Sequence, residues 1–190
     1  MEALIKRMFD ILLAAALGIV LAPLMLVLAL LVKLTSPGPV LYWSDRVGRD
    51  NVLFAMPKFR SMRTDTPALA THLLAEPGRW LTPLGRVLRT TSLDELPQLW
   101  SILRGQMSFV GPRPALFNQH DLIGLRTERG VHRLVPGLTG WAQIHGRDEL
   151  PIPDKVALEV QYLRNRSLLL DLKIMMLTVF AVVRREGVSH

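Results

Sequence analysis

The longest run of apolar residues lies near the N-terminus of the 190-residue chain. Residues 11–32 carry no charge and are bounded by Asp10 and Lys33. As one straight helix, this segment would extend about 33 Å, close to the hydrocarbon thickness of a bilayer. Its apolar positions occur on all sides of the helix rather than on one face, which suits contact with lipid. The pattern therefore predicts a membrane-embedded helix.

Pro23 lies near the middle of this segment and lacks the amide hydrogen that a continuous helix uses. Each half, residues 11–22 and 23–32, would be about 15–18 Å long, close to the depth of one leaflet. Lys6 and Arg7 precede the segment and further basic residues follow it, whereas a spanning helix normally carries its basic excess on one side. The pattern favours a re-entrant helix-break-helix hairpin that enters and leaves on the same face. A proline-kinked spanning helix is the alternative.

The rest of the chain is predicted to form a compact, mainly α-helical domain with a short β-hairpin. This gives two units, a membrane hairpin at residues 1–34 and a membrane-associated cytoplasmic domain at 35–190. The expected strands are residues 40–43 and 52–56, and the expected helices are residues 84–89, 93–103 and 118–131. A last helix, residues 167–185, is too short in its uncharged part to cross a bilayer. It is either a core helix or an interfacial amphipathic helix lying on the bilayer.

The charge balance limits the classes of partner that the chain is expected to bind. Lys and Arg total 23 against 16 Asp and Glu, a formal net charge of +7. Such a balance suits nucleic acid or the anionic lipids of an inner membrane. The apolar segment and the lack of a recognised nucleic-acid motif favour the membrane and argue against nucleic acid. Because the sequence contains no cysteine, a disulfide scaffold and thiolate metal sites are excluded.

Two adjacent carboxylates, Asp94 and Glu95, stand at a predicted helix start. Neighbouring helical residues point about 100° apart, so these two cannot form a close acid pair that shares a proton. A division of labour is more plausible: one attacks or accepts a proton, and the other holds a metal or positions a group. The alternative is structural, because Ser92 and Glu95 also have the spacing of a capping box.

Arginines surround the two carboxylates, and Arg113 is the most constrained of them because Pro112 and Pro114 restrict its backbone. The others nearby in the sequence are Arg86, Arg89 and Arg104. A rigidly presented guanidinium matches the geometry of phosphate, and carboxylates hold Mg²⁺ together with substrate phosphates. The combination predicts phosphoryl transfer with Mg²⁺ at a membrane surface. Sequence motifs of P-loop kinases, dinucleotide-binding folds, zinc proteases and esterases are absent.

Three segments resemble the bacterial sugar transferases, and in particular the small monotopic phosphoglycosyl transferases. They are KFRSM at residues 58–62, TSLDELPQLWSILRG with MSFVGPRP within residues 91–114, and VPGLTGWAQIHGR at residues 135–147. The resemblance extends over nearly the whole chain. It implies transfer of a sugar phosphate from a UDP-sugar to polyprenyl (undecaprenyl) phosphate, with release of UMP. The implied location is the cytoplasmic face of the bacterial inner membrane, where such a step begins glycoconjugate or exopolysaccharide biosynthesis.

The resemblance also implies roles for individual residues. Asp94 would be the nucleophile that forms a covalent aspartyl-phosphosugar intermediate, and Glu95 would act as a base or position the metal. Mg²⁺ would bind at this dyad, and the membrane helix would break at Pro23. Substrate and phosphate contacts are expected at Lys58, Arg60, Arg89, Arg113, Gln143 and Arg147.

Three positions depart from the pattern of these enzymes. Ser44 stands where Gln is common, Gln106 where Asp is frequent, and His145 where Asn is frequent. Loss of the Asp could alter Mg²⁺ affinity, and His145 could report a different sugar preference. These departures keep a second hypothesis open, a membrane adaptor without activity that binds acidic lipid or a partner protein. The sequence leaves open the sugar, the polyprenol length and the oligomeric state, a homo-oligomer included.

Overall fold

The computed structural model describes residues 2–67, 76–146 and 150–184. The described chain is mainly helical, as predicted. The helices are α1 (Glu2–Thr35), α2 (Gly85–Thr90), α3 (Leu99–Leu103), α4 (His120–Glu128), α5 (Trp141–Ile144), α6 (Ile152–Asn165) and α7 (Leu168–Arg184). The strands are β1 (Leu41–Val47), β2 (Leu53–Phe59), β3 (Ser108–Val110), β4 (Ala115–Leu116) and β5 (Gly137–Thr139). Short 3-10 turns cover Arg49–Asn51, Pro77–Trp80, Leu93–Gln98 and Val131–Arg133.

Strands β1 and β2 form the predicted β-hairpin, which is longer than expected. They pair in antiparallel register over all seven residues of each strand. The connection contains Asp50 and Asn51 with φ angles of 54° and 61°. Asp and Asn tolerate this left-handed conformation better than most residues, so these two positions of the turn do not require glycine. Strand β4 adds to the other edge of β1 and gives the sheet order β2–β1–β4.

Strands β3 and β5 form a separate parallel pair, with Ser108 opposite Gly137 and Val110 opposite Thr139. The sequence pattern predicts neither strand, because three residues are too few for an alternating apolar signal. Helix α6 is also absent from the expectations. The parallel pair matters for the site, because β3 leads directly into the loop that contains Arg113.

Two predicted helices differ from the observed elements. The helix expected at residues 93–103 is divided into the 3-10 turn Leu93–Gln98 and helix α3. Pro97 explains this division, because it lacks the amide hydrogen that a regular α-helix would use there. The helix expected at residues 118–131 ends at Glu128, and Gly130 follows with a φ angle of 77°.

Helix α1 continues through Pro23 as one assigned helix of 34 residues. The predicted interruption at this proline is therefore not seen as a break in secondary structure. Strong helix-forming residues on both sides, such as Leu21, Ala22, Leu24 and Met25, favour continuity despite the lost hydrogen bond and the ring clash at this proline. Among the described residues, α1 is the single helix long and apolar enough to cross a membrane.

Both halves of α1 pack against the rest of the chain. Near its start, Ala14 is buried in the main hydrophobic core together with residues of β2, β3, α3, α6 and α7. Near its end, Leu28 and Val32 join a second buried cluster that contains Phe59 of β2 and Leu88 of α2. Between these contacts the helix is exposed, and the side chain of Ile19 is 77% accessible. The unpacked apolar surface of α1 is therefore concentrated around its middle.

Helix α7 has two apolar sides with different surroundings. Ile174 is completely buried in the main core. Asp171, three residues earlier in the same helix, is also buried. On the other side, large apolar residues are exposed, namely Leu169, Met176, Val179 and Phe180. One helix therefore combines the features of both alternatives raised by the sequence, a core contact and an exposed apolar surface.

A buried ion pair joins α4 to α6. Arg126 donates from Nε and Nη2 to the two carboxylate oxygens of Glu159, and the side chains are only 9% and 3% exposed. Breaking such a pair leaves one charge without a partner in the interior, whereas replacing both charges with apolar groups is often tolerated.

We expect Arg126→Leu to lower the free energy of unfolding by about 3–5 kcal/mol, because Glu159 would remain as an uncompensated buried charge. The double variant Arg126→Leu with Glu159→Leu should recover most of this loss. Chemical denaturation of the purified protein in detergent measures both. Arg129→Leu is the control, since its pair with Glu128 is exposed and such pairs contribute about 0–1 kcal/mol. A loss for Arg126→Leu no larger than this control contradicts the prediction.

Candidate active site

The two carboxylates lie in the 3-10 turn Leu93–Gln98, which packs against β2 and α2. Ser92 precedes the turn with a φ angle of 56°, a left-handed conformation that residues other than glycine rarely adopt. This reversal ends α2 and starts the turn. Successive residues of a 3-10 helix point about 120° apart, so Asp94 and Glu95 face different surroundings.

The capping box considered from the sequence is wrong for this turn. Among the described residues the side chain of Ser92 forms no capping hydrogen bond. The amide of Glu95 donates to the backbone carbonyl of Ser92 at 3.1 Å, and the Glu95 carboxylate points to cations instead.

Glu95 brings three separate segments of the chain together. Its Oε1 accepts a hydrogen bond from Lys58 Nζ of β2 at 2.8 Å. The same oxygen accepts a second from Arg113 Nη2, in the loop between β3 and β4, at 3.0 Å. The Lys58 and Glu95 side chains are only 15% and 16% exposed. Because the contact between Lys58 and Glu95 is largely shielded from water, it is stronger than an ion pair on the surface, whereas the Arg113 side chain is 38% exposed.

The same contacts determine the protonation of Glu95. Burial by itself would raise the pKa of this carboxyl, but the charges and hydrogen bonds of Lys58 and Arg113 lower the pKa well below its usual range. Glu95 is therefore ionised at every physiological pH. The negative charge of Glu95 therefore holds Lys58 and Arg113 close to the other carboxylate, Asp94.

Asp94 has a different environment. It is buried, with 7% exposure, and accepts no hydrogen bond from any residue in the described part of the chain. Burial raises the pKa of Asp94, and the neighbouring Glu95 charge raises it further, while Lys58, Arg89 and Arg113 act in the opposite direction. The carboxylate oxygens of Asp94 are thus available to a ligand, in an environment rich in positive charge.

The cations around Asp94 come from different elements. Arg89 is the penultimate residue of α2, and its Nη1 lies 3.4 Å from Met62 Sδ. Together with Lys58 and Arg113, it contributes to the positive potential at Asp94. The structure therefore brings together five of the residues named from the sequence, on four separate segments.

Arg60 is placed differently from this group. It is buried, and its guanidinium donates from Nε to the carbonyl of Pro39 at 2.6 Å and from Nη2 to the carbonyl of Ser36 at 2.9 Å. These hydrogen bonds tie the end of α1 to the end of β2. The geometry gives Arg60 a role in holding the membrane helix, where the sequence predicted a phosphate contact.

The segment after β5 contains the remaining predicted contacts. Gln143 of α5 has both side-chain amide atoms buried without a hydrogen-bond partner among the described residues. Such an amide is unusual in a folded protein, where most buried polar atoms have a hydrogen-bond partner. Arg147 lies outside the described residues.

Close backbone packing fixes the loop that presents Arg113. A Cβ atom on Gly111 would lie 2.3 Å from the carbonyl oxygen of Val135, and a Cβ on Gly140 would lie 2.1 Å from the carbonyl oxygen of Gly111. Neither position has space for a side chain. The loop before Arg113 and the start of α5 are therefore held in direct backbone contact.

The three departures from the family pattern have clear placements. Ser44 is buried, and its Oγ accepts a hydrogen bond from Arg46 Nε at 2.9 Å. Gln106 lies in the turn after α3, where its backbone N–H donates to the backbone carbonyl of Ser101. The ring of His145 lies 4.2 Å from that of Trp141, and its Nδ1 is 2.7 Å from the Trp141 carbonyl oxygen.

Asp10 is a buried carboxylate that was not identified from the sequence. Asp10 of α1 is 3% exposed and accepts a hydrogen bond from the amide of Phe109 in β3 at 3.2 Å. The sequence holds a weak signal for it. Asp10 lies at the edge of an apolar segment, four residues after Lys6, and burying a carboxylate there costs free energy unless the carboxylate has a partner. In the described ranges, no group of three or more His, Asp or Glu side chains is arranged to hold a metal ion.

The two adjacent carboxylates should have opposite effects on stability. Because the folded-state pKa of Asp94 is raised, its charge opposes folding above that pKa and has no effect below its ordinary value of 3.8. Asp94→Asn should therefore raise the melting temperature at neutral pH, and the gain should disappear as the pH falls. The pKa of Glu95 is lowered, so its charge stabilises the fold above 4.5 and is lost only in strong acid.

Glu95→Gln should accordingly destabilise the protein at neutral pH, by about 1.5–3 kcal/mol if one hydrogen bond to a charged group is lost. Thermal unfolding of the two variants across a pH series measures both effects. Shifts of the same sign at neutral pH would contradict the assigned environments.

Comparison with known proteins identifies the family of the chain. The sequence model of the family described as bacterial sugar transferase matches residues 1–185. An undecaprenyl-phosphate glucose phosphotransferase from Komagataeibacter xylinus is 43% identical over 189 residues, which are 94% of this chain and 36% of that protein. The uncharacterized sugar transferase EpsL of Bacillus subtilis is 41% identical, with 98% of this chain and 91% of EpsL covered.

The exopolysaccharide production protein ExoY of Sinorhizobium fredii is 39% identical, over 96% of this chain and 87% of ExoY. The chain thus spans about a third of the K. xylinus protein and most of EpsL and ExoY. From the match of the family model over residues 1–185 and these identities, the chain belongs to the bacterial sugar transferase family.

Proposed function

We propose that the protein transfers a sugar 1-phosphate from a UDP-sugar to undecaprenyl phosphate and releases UMP. The observation that carries this proposal is Asp94, a buried carboxylate without a hydrogen bond from the described residues and surrounded by Lys58, Arg89 and Arg113. A diphosphate is the kind of ligand that such a group of cations attracts. Several relatives are named as glucose phosphotransferases of undecaprenyl phosphate, which is the same reaction class.

In the first step, an Asp94 carboxylate oxygen attacks the phosphorus that is bonded to the sugar. The bond from this phosphorus to the bridging oxygen of the diphosphate breaks, and UMP leaves with the electron pair. The product on the enzyme is an acyl phosphate, in which the Asp94 carboxylate is bonded to the phosphate that carries the sugar. A buried carboxylate whose pKa is raised is a better nucleophile than a fully solvated one, as long as the pH keeps it ionised.

In the second step, a phosphate oxygen of undecaprenyl phosphate attacks the same phosphorus. The bond to Asp94 breaks, the carboxylate is regenerated, and the sugar is left on a polyprenyl diphosphate. Dividing the reaction in this way means that two bulky anionic substrates need not occupy the site at the same time.

Glu95 has a positioning role in this proposal. It is ionised and holds Lys58 and Arg113 through one oxygen, so that both cations face the position of the transferred phosphoryl group. Charge that develops on the leaving UMP is stabilised by cations that are already in place. Gln143 and Arg147 are proposed to contact the UDP-sugar, and Arg60 to act through the position of α1.

Mg²⁺ is the proposed cofactor, and the donor set fits it. This ion is commonly held by one or two carboxylates together with substrate phosphates and water. Asp94 and the second oxygen of Glu95 would supply the protein ligands. When bound, the ion would neutralise part of the diphosphate charge, and the residues described above would orient the substrate.

Contacts at both ends of α1 support a re-entrant, monotopic placement at the cytoplasmic face of the inner membrane. Near the start of α1, Arg7 donates to the carbonyls of Ile102 and Leu103 at 2.6 and 2.8 Å, and Lys6 pairs with Asp171. At its end, the carbonyl of Ser36 binds Arg60. A spanning helix would separate its ends by a bilayer, whereas here one domain holds both. We propose that α1 bends at Pro23 and enters one leaflet.

The exposed apolar side of α7 is proposed to lie on the same membrane surface as an interfacial helix. Leu169, Met176 and Phe180 recur at helical spacing on this side, while Ile174 faces the core. Basic residues near this surface would favour anionic lipids by about 1 kcal/mol for each charge. The dyad would then lie at the depth of lipid headgroups, where undecaprenyl phosphate presents its phosphate.

The reaction predicts release of UMP when the purified protein is mixed with undecaprenyl phosphate, Mg²⁺ and one member of a panel of UDP-sugars. Asp94→Asn should abolish turnover, because an amide oxygen is a poor nucleophile, while the protein stays folded. Luminescent detection of UMP gives the rate, and the panel identifies the sugar. Arg104→Ala, an exposed change outside the cluster, is the control.

A folded Asp94→Asn variant with normal turnover would contradict the nucleophile. Binding of lipid without UMP release from any UDP-sugar would instead support the adaptor hypothesis. With a radiolabelled sugar and no lipid acceptor, label should remain on the wild-type chain after denaturation and be absent from Asp94→Asn.

The membrane placement predicts that both ends of α1 lie on one side of the bilayer. The chain contains no cysteine, so single cysteines at Glu2 and Thr35 can be labelled specifically. A membrane-impermeant maleimide should modify both in inverted vesicles and neither in intact spheroplasts. A cysteine at Asp154, exposed on α6, reports the side of the catalytic domain. Labelling of positions 2 and 35 from opposite sides would establish a spanning helix.

A further inference from the structure

Strand β3 ends directly before the loop that presents Arg113, and polar side chains of α1 and α6 contact its backbone. Residues Ser108–Val110 are buried, and β5 pairs with one edge of this strand. On the other edge, the amide of Phe109 donates to Oδ1 of Asp10 in α1 at 3.2 Å. Helix α1 thus occupies the position where a further strand would otherwise accept this hydrogen bond.

The next residue of β3 is contacted from the opposite end of the chain. The hydroxyl of Tyr162 in α6 lies 3.3 Å from the carbonyl oxygen of Val110 and 2.7 Å from Oδ1 of Asp171 in α7. Burial and the Asp171 charge raise the pKa of Tyr162, so the hydroxyl keeps its proton and remains a donor. The second oxygen of Asp171 pairs with Lys6 of α1.

Lys6 and Asp10 are four residues apart and therefore lie on the same face of α1. One face of the apolar helix consequently reaches both contacts, Phe109 directly and Val110 through Asp171 and Tyr162. We call Lys6, Asp10, Tyr162 and Asp171 the polar clamp. Asp10, Tyr162 and Asp171 are buried, and none of the four contacts the cluster around Asp94 in the described structure.

The clamp acts on a part of the backbone that cannot absorb a shift. Gly111 follows Val110 and is packed against the carbonyl of Val135 without space for a Cβ atom. Pro112 and Pro114 restrict the backbone on both sides of Arg113. A displacement at Phe109 or Val110 is therefore carried to the guanidinium of Arg113, which donates to Glu95 at 3.0 Å.

We propose that Asp10, with the rest of the polar clamp, is a positioning residue that sets Arg113 against Glu95. The seating of the membrane helix α1 and the geometry of the catalytic cluster are thereby linked through β3. Asp10 acts as a hydrogen-bond acceptor in this role, so its charge is not required. The activity measurements below depend on the proposed phosphosugar transfer, whereas the hydrogen-exchange measurement does not.

Two substitutions of Asp10 test whether the hydrogen-bond acceptor or the charge of this residue matters. They are made in the full-length protein in nanodiscs. Asp10→Ala removes the acceptor, and Asp10→Asn keeps a carbonyl oxygen for the Phe109 amide. Hydrogen–deuterium exchange by mass spectrometry should be faster in peptides covering residues 107–111 of Asp10→Ala, with β1 and β2 unchanged. Asp10→Asn should remain close to wild type. Unchanged exchange at residues 107–111 in Asp10→Ala, or equal damage by Asn and Ala, overturns the proposal.

Turnover then tests whether the clamp acts through Arg113. Asp10→Ala should lower kcat by about 10- to 100-fold with little change in KM, the scale on which small misplacements of catalytic groups act. In an Arg113→Ala background, the same substitution should cause little further loss. Independent losses that multiply in the double variant would overturn the link to Arg113. Asp154→Ala, exposed on α6, is the matched control and should leave kcat unchanged.

Tyr162→Phe provides a second variant in case Asp10→Ala fails to fold. It removes only the hydroxyl and should increase exchange at residues 107–111 in the same direction. Tyr42→Phe, half-exposed on β1, is its control. If wild-type protein releases no UMP from any UDP-sugar, the proposed function fails, but the exchange experiment still tests the polar clamp. An exchange rate at residues 107–111 equal to that of the wild type in both Asp10→Ala and Tyr162→Phe overturns the clamp proposal.

Discussion

The shared hydrogen bonding of one oxygen of Glu95 organises the candidate active site. Lys58 and Arg113 arrive from β2 and from the loop after β3, and each would repel the other without the carboxylate between them. Because Glu95 is occupied in this way, its neighbour Asp94 is left buried, beside positive charge and with its oxygens unengaged by described residues. The 3-10 geometry makes this possible, since an alternative in which both side chains pointed the same way would place two negative charges in contact.

The local chemistry of the site could be predicted from the sequence, and its tertiary construction could not. Asp94 and Glu95 are adjacent and Arg113 lies between two prolines, so their importance is visible in a few consecutive letters. Arg60 looked similar to Lys58 two residues earlier, but Arg60 follows the last residue of β2, where the segment after α1 supplies two carbonyl acceptors that the sequence does not reveal. The three-residue strands β3 and β5 had no signal of their own, because their pairing depends on backbone contacts between glycines far apart in the sequence.

The β1–β2 hairpin was predicted, although too short, from two apolar segments on either side of a turn sequence, and the extent of α7 was predicted from its long apolar run. The division of the third predicted helix at Pro97 and the early end of α4 follow from single residues whose effect depends on register. For α1, the apolar pattern identified the element, while the polar contacts at its start came from Lys6, Arg7 and Asp10, which look like ordinary flanking charges in the sequence. Polar residues at the borders of an apolar segment therefore deserve the same attention as the segment itself.

The backbone contact between Gly111 and Gly140 has a consequence for how enzymes of this kind diversify. With no room for even a methyl group at either position, the frame around Arg113 cannot be widened or tilted by changing side chains there. In the proposed reaction, selectivity for one hexose over another would then be adjusted in groups outside this frame, and His145 and Trp141, which pack on each other, are the candidates that the sequence suggests. A rigid frame for the phosphates and an adjustable border for the sugar would allow one scaffold to accept many donors without rebuilding its chemistry.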